Sequence, residues 1–286
     1  MKKIDSILVP VDFSSISANA CRYALLFADR LAAEVHFVYG IPPASASADA
    51  GPFTINLLED LRKDALSGMD DFINDVQSAI KDQLVRPPVI RSYIKVGDLS
   101  TVVRQHVESE NISLVLMGTH GSRDGWDELL GTHTSSLLGR VACPLIVIPS
   151  ECAFKPLKNI CYATDLKHAD AFQVDNLLTA LLPFRPAVTF LHVRQEEEEP
   201  EFGLAALRKM FDRPASNLKT NFVSIKRDDV VDGLFTYARE NEAEMVVMAR
   251  PDRSWLARLF SKSHTRDAVK YASLPLMILS SADLIQ

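Results

Sequence analysis

The chain has 286 residues, of which 47% are hydrophobic, and it carries a formal net charge of −6. This length and apolar content suffice for two ordinary globular domains. The negative charge argues against a nucleic-acid-binding protein, because Lys and Arg supply most of the affinity for phosphate backbones. No run of eighteen apolar residues occurs and the first residues show no signal-peptide core, so we expect a cytoplasmic protein that does not bind membranes.

Apolar runs and amphipathic segments alternate along the first half of the chain. Because the apolar runs are nearly continuous, they are typical of parallel strands that are covered on both faces. Alternation of this kind predicts a doubly wound α/β sheet. The expected strands lie near 4–10, 35–40, 89–95, 113–118 and 144–149, and the expected helices lie near 15–32, 56–82, 98–110 and 132–141.

The first helix follows the first strand after a short polar turn. Apolar residues at helical spacing from Ala18 to Leu31 give this helix one buried face. Either Asp12 or Ser14 can cap its start by accepting a hydrogen bond from a backbone N–H group.

A segment rich in Pro, Ala and Ser follows the second strand and covers residues 41–55. This composition is typical of a mobile surface linker. Because the segment starts at the carboxyl end of a strand, it also allows a second interpretation, a lid over a ligand site.

The four cysteines form no CxxC pair, and no histidine cluster lies at zinc-ligand spacing. We therefore predict small buried residues or free thiols rather than a disulfide framework or a metal site. These residues are Cys21, Cys143, Cys152 and Cys161.

The chain contains an internal repeat of about 140 residues. Residues 7–12 resemble residues 160–165, and three later segments (116–118, 133–134 and 144–146) each resemble the segment 131 positions further on. We therefore expect two doubly wound domains, each with five parallel strands, covering residues 1–150 and 151–286.

Glycines mark one stretch of the first domain. Gly118 ends the fourth strand, where the lack of a side chain would let a ligand approach the backbone. Gly121 lets the following loop turn. Gly131 and Thr132 open the next helix, where unpaired N–H groups and the helix dipole attract phosphate. All of them would lie at the carboxyl ends of the strands, where open α/β sheets bind ligands.

The spacing G-x2-G-x9-G-[S/T] from Gly118 to Thr132 resembles the ATP-binding signature of the universal stress protein family. Residues 9–14 and 143–148 are similar to the first strand and turn of that family and to its last strand. The resemblance covers nearly the whole chain, twice, and implies a tandem fold of the universal-stress and adenine nucleotide alpha hydrolase type. It further implies ATP as the ligand, with Mg²⁺ as a candidate companion ion, and edge-to-edge pairing of the last strands.

Carried over by position, the resemblance assigns roles to individual residues. In the family strand one lies beside strand four, so Asp12 would face Gly118 and accept a hydrogen bond from a ribose hydroxyl. Val11 and Met117 would lie near the base, and the glycines, Thr132 and the backbone of His133 would surround the ribose and phosphates. The full set of candidate nucleotide contacts is Pro10, Val11, Asp12, Gly40, Met117, Gly118, His120, Gly121, Gly131, Thr132 and His133.

Two of these candidates have a second interpretation. His120 is either a phosphate contact or proton donor, or an ordinary polar loop residue. Tyr39 and Gly40 stand where the family often has His-Val, which residues 192–193 retain. Gly40 would either weaken a contact to adenine or make room for a different base.

The second domain lacks the motif. The residues at the corresponding positions are Ala249, Asp252, Lys262 and Ser263. A carboxylate at position 252 would repel phosphates in a partly buried cleft. We therefore expect no ATP in the second domain, although Asp165 is retained.

Three functions fit these observations. The first is a nucleotide-binding regulator of a stress response, in which ATP orders the 118–132 loop and changes what an unknown protein partner contacts. The second is a slow ATP hydrolase, against which stands the absence of a Walker P-loop. The third is an interaction scaffold with a vestigial pocket.

Pairing of the two last strands would give an intramolecular pseudo-dimer, and further homodimerisation stays open.

Overall fold

The computed structural model describes residues 3–42, 53–119, 137, 141–166, 171–195, 201–211, 219–249 and 274–279. The first half contains β1 (Ser6–Val11), α1 (Ser15–Leu31), β2 (Glu34–Ile41), α2 (Phe53–Ser78), β3 (Ile90–Val96), α3 (Leu99–Ser109), β4 (Leu114–Thr119) and β5 (Leu145–Pro149). The second half contains β6 (Asn159–Ala163), α4 (Ala171–Ala180), β7 (Ala187–Arg194), α5 (Glu201–Phe211), β8 (Thr220–Lys226), α6 (Val230–Glu240), β9 (Met245–Ala249) and β10 (Leu276–Leu279).

The ten strands of the described residues form one sheet in the order β3-β2-β1-β4-β5-β10-β9-β6-β7-β8. Strands within each half are parallel, whereas β5 and β10 pair antiparallel, with Leu276 opposite Val147. Each half is therefore a doubly wound sheet of five strands, as predicted. The expected pairing of the two last strands is also confirmed.

The central strands are buried because helices cover both faces of the sheet. All six residues of β1 are buried. α1 and α2 pack on one face, where their apolar residues join Ile7 and Val9, while α3 packs on the other face against Leu8 and Val115. Two-sided burial explains why the strands are continuous apolar runs rather than alternating ones.

One apolar core crosses the boundary between the halves. The ring of Phe27 on α1 stacks on Phe184 of the second half, with centroids 5.2 Å apart. Tyr23 meets Phe154 edge-on at 5.2 Å. The side-chain amide of Asn19 donates hydrogen bonds to the carbonyls of Pro149 and Cys152, at 3.2 and 3.0 Å. The face of α1 that reaches the second half is therefore buried in this chain.

The described helices differ from expectation mainly at their ends. α2 runs over Phe53–Ser78, rather than near 56–82, and a separate 3-10 helix follows at Lys81–Gln83. The helix expected near 132–141 and most of the 41–55 segment lie outside the described residues.

None of the four cysteines forms a disulfide, and Cys21, Cys143 and Cys161 are buried, as predicted. Among the described helices, none is long and apolar enough to cross a bilayer.

Candidate functional site

The turn between β1 and α1 is held by two residues with different tasks. Ser14 caps α1, since its Oγ accepts a hydrogen bond from the Ser17 amide at 3.1 Å. The Asp12 carboxylate accepts hydrogen bonds from the Ser14 amide at 2.9 Å and from the Ser14 hydroxyl at 2.5 Å. Of the two sequence-based candidates, Ser14 is therefore the cap, and Asp12 orders the turn that positions it.

Asp12 is exposed at the end of its strand and available to a ligand. Burial by the surrounding turn raises the pKa of its carboxyl group, but hydrogen bonds, the strongest of them from the Ser14 hydroxyl and amide, together outweigh that effect and leave the pKa below its usual value. The side chain is thus an ionised acceptor at neutral pH.

The carboxyl ends of β1 and β4 lie side by side. β1 pairs with β4 through Ile7 opposite Leu114 and Leu8 opposite Val115. The same register, continued, brings Val11, rather than the expected Asp12, opposite Gly118, so Asp12 lies one residue further along this edge. Pro10, Val11 and Met117 are buried, in contrast to Asp12. Among these candidates, Asp12 is therefore the side chain that this edge of the sheet presents to solvent.

Gly118 is needed for the packing of α1. A Cβ atom at this position would lie 2.8 Å from both the Cγ2 atom and the backbone oxygen of Ile16, and 3.3 Å from the Ala20 side chain. The first glycine of the motif therefore lets the start of α1 settle on β4. This role is additional to the ligand approach inferred from sequence.

Gly40 is also closely surrounded. A Cβ atom there would lie 3.2 Å from the backbone oxygen of Gly97 and 3.6 Å from the Cα atom of Leu99. The absence of the common valine thus fits a close approach of the loop before α3.

A cluster of three aromatic residues, which the sequence did not point to, borders Asp12. Phe13 packs against Tyr39 at the end of β2, with ring centroids 4.7 Å apart, and edge-on against Phe72 of α2 at 5.6 Å. Phe13 has a left-handed backbone with φ of 63°. Aromatic residues near the carboxyl ends of two neighbouring strands were the available signal, because parallel strands bring such residues to one edge.

The second half repeats this turn with different side chains. Leu166 occupies the position of Phe13 and has a φ of 60°. Its amide donates to the Thr164 hydroxyl at 3.1 Å, while His192 on β7 lies 3.0 Å from the Thr164 carbonyl oxygen through Nδ1. Asp165 is exposed, as Asp12 is.

Most of the glycine loop, from residue 120 onward, lies outside the described residues. The candidates outside the described residues are His120, Gly121, Gly131, Thr132 and His133.

A buried histidine pair lies on the α3 side of the sheet. His36 Nδ1 on β2 lies 3.0 Å from His106 Nε2 on α3, and His36 Nε2 lies 2.8 Å from the Glu34 carboxylate. A carboxylate only accepts, so His36 donates from Nε2 to Glu34; with both rings neutral, His106 then donates from Nε2 to His36 Nδ1. The remaining Nδ1 of His106 is buried and has no hydrogen-bond partner among the described residues.

The sequence profile of the universal stress protein family matches residues 3–149 and again residues 157–280. Together the two matches cover most of this tandem, doubly wound α/β chain. The chain therefore belongs to the universal stress protein family and contains its unit twice.

Individual relatives agree with this assignment. Universal stress protein A homolog 1 from Coxiella burnetii (strain RSA 493 / Nine Mile phase I) is 25% identical over 114 residues, which are 40% of this chain and 72% of that protein. The crystal structure of a universal stress protein from Archaeoglobus fulgidus DSM 4304 superposes with a TM-score of 0.70 at 14% identity, covering 97% of this chain and 98% of the other. A functionally unknown protein from Pseudomonas aeruginosa PAO1 gives a TM-score of 0.54 at 13% identity, with coverage of 98% and 94%. At these identities the two structures show the shared fold.

Proposed function

We propose that the first half, residues 1–150, binds ATP and that the chain acts as a nucleotide-dependent regulator rather than as an efficient enzyme. The observation that carries this proposal is the position of Asp12. Its carboxylate is exposed, ionised and oriented by Ser14, at the edge where β1 and β4 end side by side. Ligands of open α/β sheets bind at this edge.

The residues present fit a nucleoside. An oriented carboxylate accepts hydrogen bonds from a ribose hydroxyl, in the way that acidic residues of other doubly wound folds hold ribose. The half-buried rings of Phe13 and Tyr39 border the same turn and offer apolar surface for a base. The motif residues Gly121, Gly131 and Thr132 would surround the phosphates, with Mg²⁺ as a companion ion.

The second half, residues 151–286, keeps the fold and the exposed Asp165 but lacks the phosphate motif. The residues that replace the glycines are Ala249, Asp252 and Lys262. Repulsion between the carboxylate at 252 and phosphate oxygens supports an ATP-free second half. Single-site binding is thus part of the proposal.

The test is to purify the chain without added nucleotide, denature it and quantify the released nucleotides by chromatography. The variants are Asp12→Ala and Gly121→Asp, and the matched control is Asp165→Ala, which changes the equivalent residue of the second half. We expect stoichiometric adenine nucleotide in the wild type and in Asp165→Ala, and a loss in both first-half variants.

Each alternative outcome has a definite meaning. If no nucleotide co-purifies and added ATP does not bind at millimolar concentration, the nucleotide function is wrong and a scaffold function replaces it. If Asp165→Ala loses nucleotide as Asp12→Ala does, binding is not confined to the first half. A preparation that contains ADP and converts added ATP would instead favour slow hydrolysis.

A further inference from the structure

The second half contains a cavity of about 550 Å³ that is unrelated to the ATP motif. It lies at the amino ends of β6, β7 and β8, next to the carboxyl end of α6. We call it the β6–β8 cavity. Its lining residues are Asn159, Ile160, Cys161, Thr189, Arg208, Thr220, Asn221, Phe222, Val223, Tyr237, Ala238, Asn241 and Ala243.

The two halves can be compared at this place residue by residue. β1 and β6 pair with their neighbours in the same register, since Ile7 lies opposite Val35 and Ile160 opposite Val188. α3 and α6 both begin after an aspartate cap and end at equivalent residues, Glu110 and Asn241. The cavity therefore has a defined counterpart in the first half.

In the first half larger side chains occupy five of the positions that are equivalent to the lining. The buried His36, with Tyr93 packed on it at 5.4 Å between ring centroids, takes the place of Thr189 and Val223. Three aliphatic residues are also larger than their counterparts. The pairs, first half before second, are His36 and Thr189, Tyr93 and Val223, Leu8 and Cys161, Val107 and Ala238, and Ile112 and Ala243. At these five positions the second half has the smaller side chain, which leaves space that the first half fills. Three other lining residues are larger than their counterparts, namely Tyr237 (His106), Phe222 (Ser92) and Asn159 (Ser6).

The lining of the cavity is polar and asymmetric in charge. Asn159, Asn221 and Asn241 supply amides, while Thr189, Thr220 and Tyr237 supply hydroxyls. Arg208 is the single charged residue of the lining. Its guanidinium lies 5.7 Å from the centroid of the Phe222 ring, on the α5 face of the edge strand β8, whereas Val223 and Tyr237 lie on the α6 face, so Arg208 borders the cavity from the other side of β8. It forms no ion pair with any described residue.

This combination selects a class of ligand. One guanidinium without a carboxylate in the lining favours an anion over a cation, because Arg binds carboxylates through paired N–H donors. Amides and hydroxyls both donate and accept, so they match hydroxyl groups on the ligand. The volume falls within the range of ordinary small-molecule sites.

We propose that the β6–β8 cavity binds a small hydroxylated organic anion, with Arg208 pairing with its carboxylate. The cavity lies in the half that we expect to be free of ATP. The second half would therefore bind a ligand of its own and not serve only as a degenerate copy.

The experiment uses the full chain and three probes in calorimetric titrations. The probes are gluconate, which has hydroxyls and a carboxylate, glucose, which has hydroxyls alone, and hexanoate, which has a carboxylate alone. The variants are Arg208→Gln, the control Lys209→Gln on the same exposed stretch of α5, and Cys161→Leu with Ala243→Ile, which restores the larger residues of the first half.

We expect gluconate to bind more tightly than either other probe. Arg208→Gln should weaken gluconate by about tenfold or more, since hydrogen bonds to charged groups are the stronger ones. Lys209→Gln should bind as the wild type does, and the refilled variant should not bind. Co-purified nucleotide, measured as described above, should be unchanged in Arg208→Gln.

Three results would overturn the proposal. They are no binding of gluconate at millimolar concentration, equal binding of glucose and gluconate, and gluconate binding that Arg208→Gln leaves unchanged. If the refilled variant does not fold, Arg208→Gln still decides, because Arg208 is exposed and its replacement leaves the core intact.

Discussion

His106 is a single residue whose surroundings make the stability of the chain depend on pH. Its side chain is fully buried between α3 and the sheet, and it donates to His36. Burial, together with the nearby Lys95 and His36, lowers the pKa of His106 from 6.5 to about 4. The free Nδ1 lone pair must therefore stay unprotonated in the folded chain at neutral pH.

The sign of the effect follows from the lowered pKa. In the unfolded chain His106 takes up a proton as the pH falls below 6.5, whereas in the folded chain it does so only near pH 4. The free energy of unfolding should therefore fall between these two pH values, by up to about 3 kcal/mol. His106→Gln keeps a donor for His36 but does not titrate, so its urea-unfolding free energy should fall less steeply over this range. His192→Gln, outside the pair, should follow the wild type. Parallel pH profiles for His106→Gln and the wild type would contradict this account.

At the scale of single residues, the sequence indicated a place for Asp12 at the ligand edge, but for Gly118 it indicated only the ligand approach and not the packing against α1. Asp12 was expected at the ligand edge from the resemblance to the universal stress protein family; its exposed position after β1 fits, and its contact with ribose stays a prediction. The packing role of Gly118 depends on Ile16, which is 102 positions away in the chain, and no local pattern reports that distance.

At the scale of elements, the two halves solve one packing problem in opposite ways. In the first half Gly40 on β2 is small and Val102 on α3 is large, and in the second half Val193 on β7 is large and Gly233 on α6 is small. A Cβ atom on Gly233 would lie 2.9 Å from the Val193 side chain. The small and the large residue at these two positions are thus exchanged between strand and helix. In the first half the two residues are linked through Gly97, because a Cβ atom on Gly40 would lie 3.2 Å from the Gly97 backbone oxygen and a Cβ atom on Gly97 would lie 3.1 Å from Val102 Cγ2.

This exchange predicts coupling between the two positions. Gly40→Val should destabilise the first half by about 1–3 kcal/mol, because the added side chain overfills the space beside Gly97. With Val102→Gly added, the total loss of unfolding free energy should be at least about 1 kcal/mol smaller than the sum of the two single losses. The control pairs Gly40→Val with Val107→Gly, further along α3, and should be additive. An additive Gly40–Val102 cycle, measured by denaturant unfolding, would show that the exchange has no energetic basis.

The elements themselves were largely predictable because burial on both faces leaves a simple signal. Continuous apolar runs located the first-half strands to within about two residues, a margin usual for element ends. The end of α2 was misplaced because apolar residues such as Ile80 and Leu84 continue past Ser78 and pack against the core from non-helical backbone. The β6–β8 cavity was not predictable from any one segment, since its walls come from three strands and two helices.

The two halves of the whole molecule share their apolar core. A single cluster of buried residues includes Phe27 and Leu116 from the first half together with Phe190 and Met277 from the second. The junction of β5 and β10 extends the sheet across the same boundary. The chain should therefore unfold as one unit in calorimetry.

Cutting the chain after residue 150 tests this dependence. The fragment 1–150 loses β10 beside β5 and the Phe184 ring beside Phe27, which exposes a strand edge and apolar surface. We expect it to form homodimers in light scattering and to melt below the intact chain. Adding the fragment 151–286 should replace the homodimer by a heterodimer with a higher melting temperature. A monomeric first fragment with the melting temperature of the intact chain would mean that the halves are independent.

The antiparallel junction also decides which ends of the two halves meet in space. Because β10 runs opposite to β5, the second half is reversed relative to the first. The carboxyl ends of β1 and β4, with Asp12, therefore lie along the same border of the twisted sheet as the amino ends of β6, β7 and β8. Two chemically different small molecules bound at these places would lie along one border of the sheet, where a single protein partner could contact both.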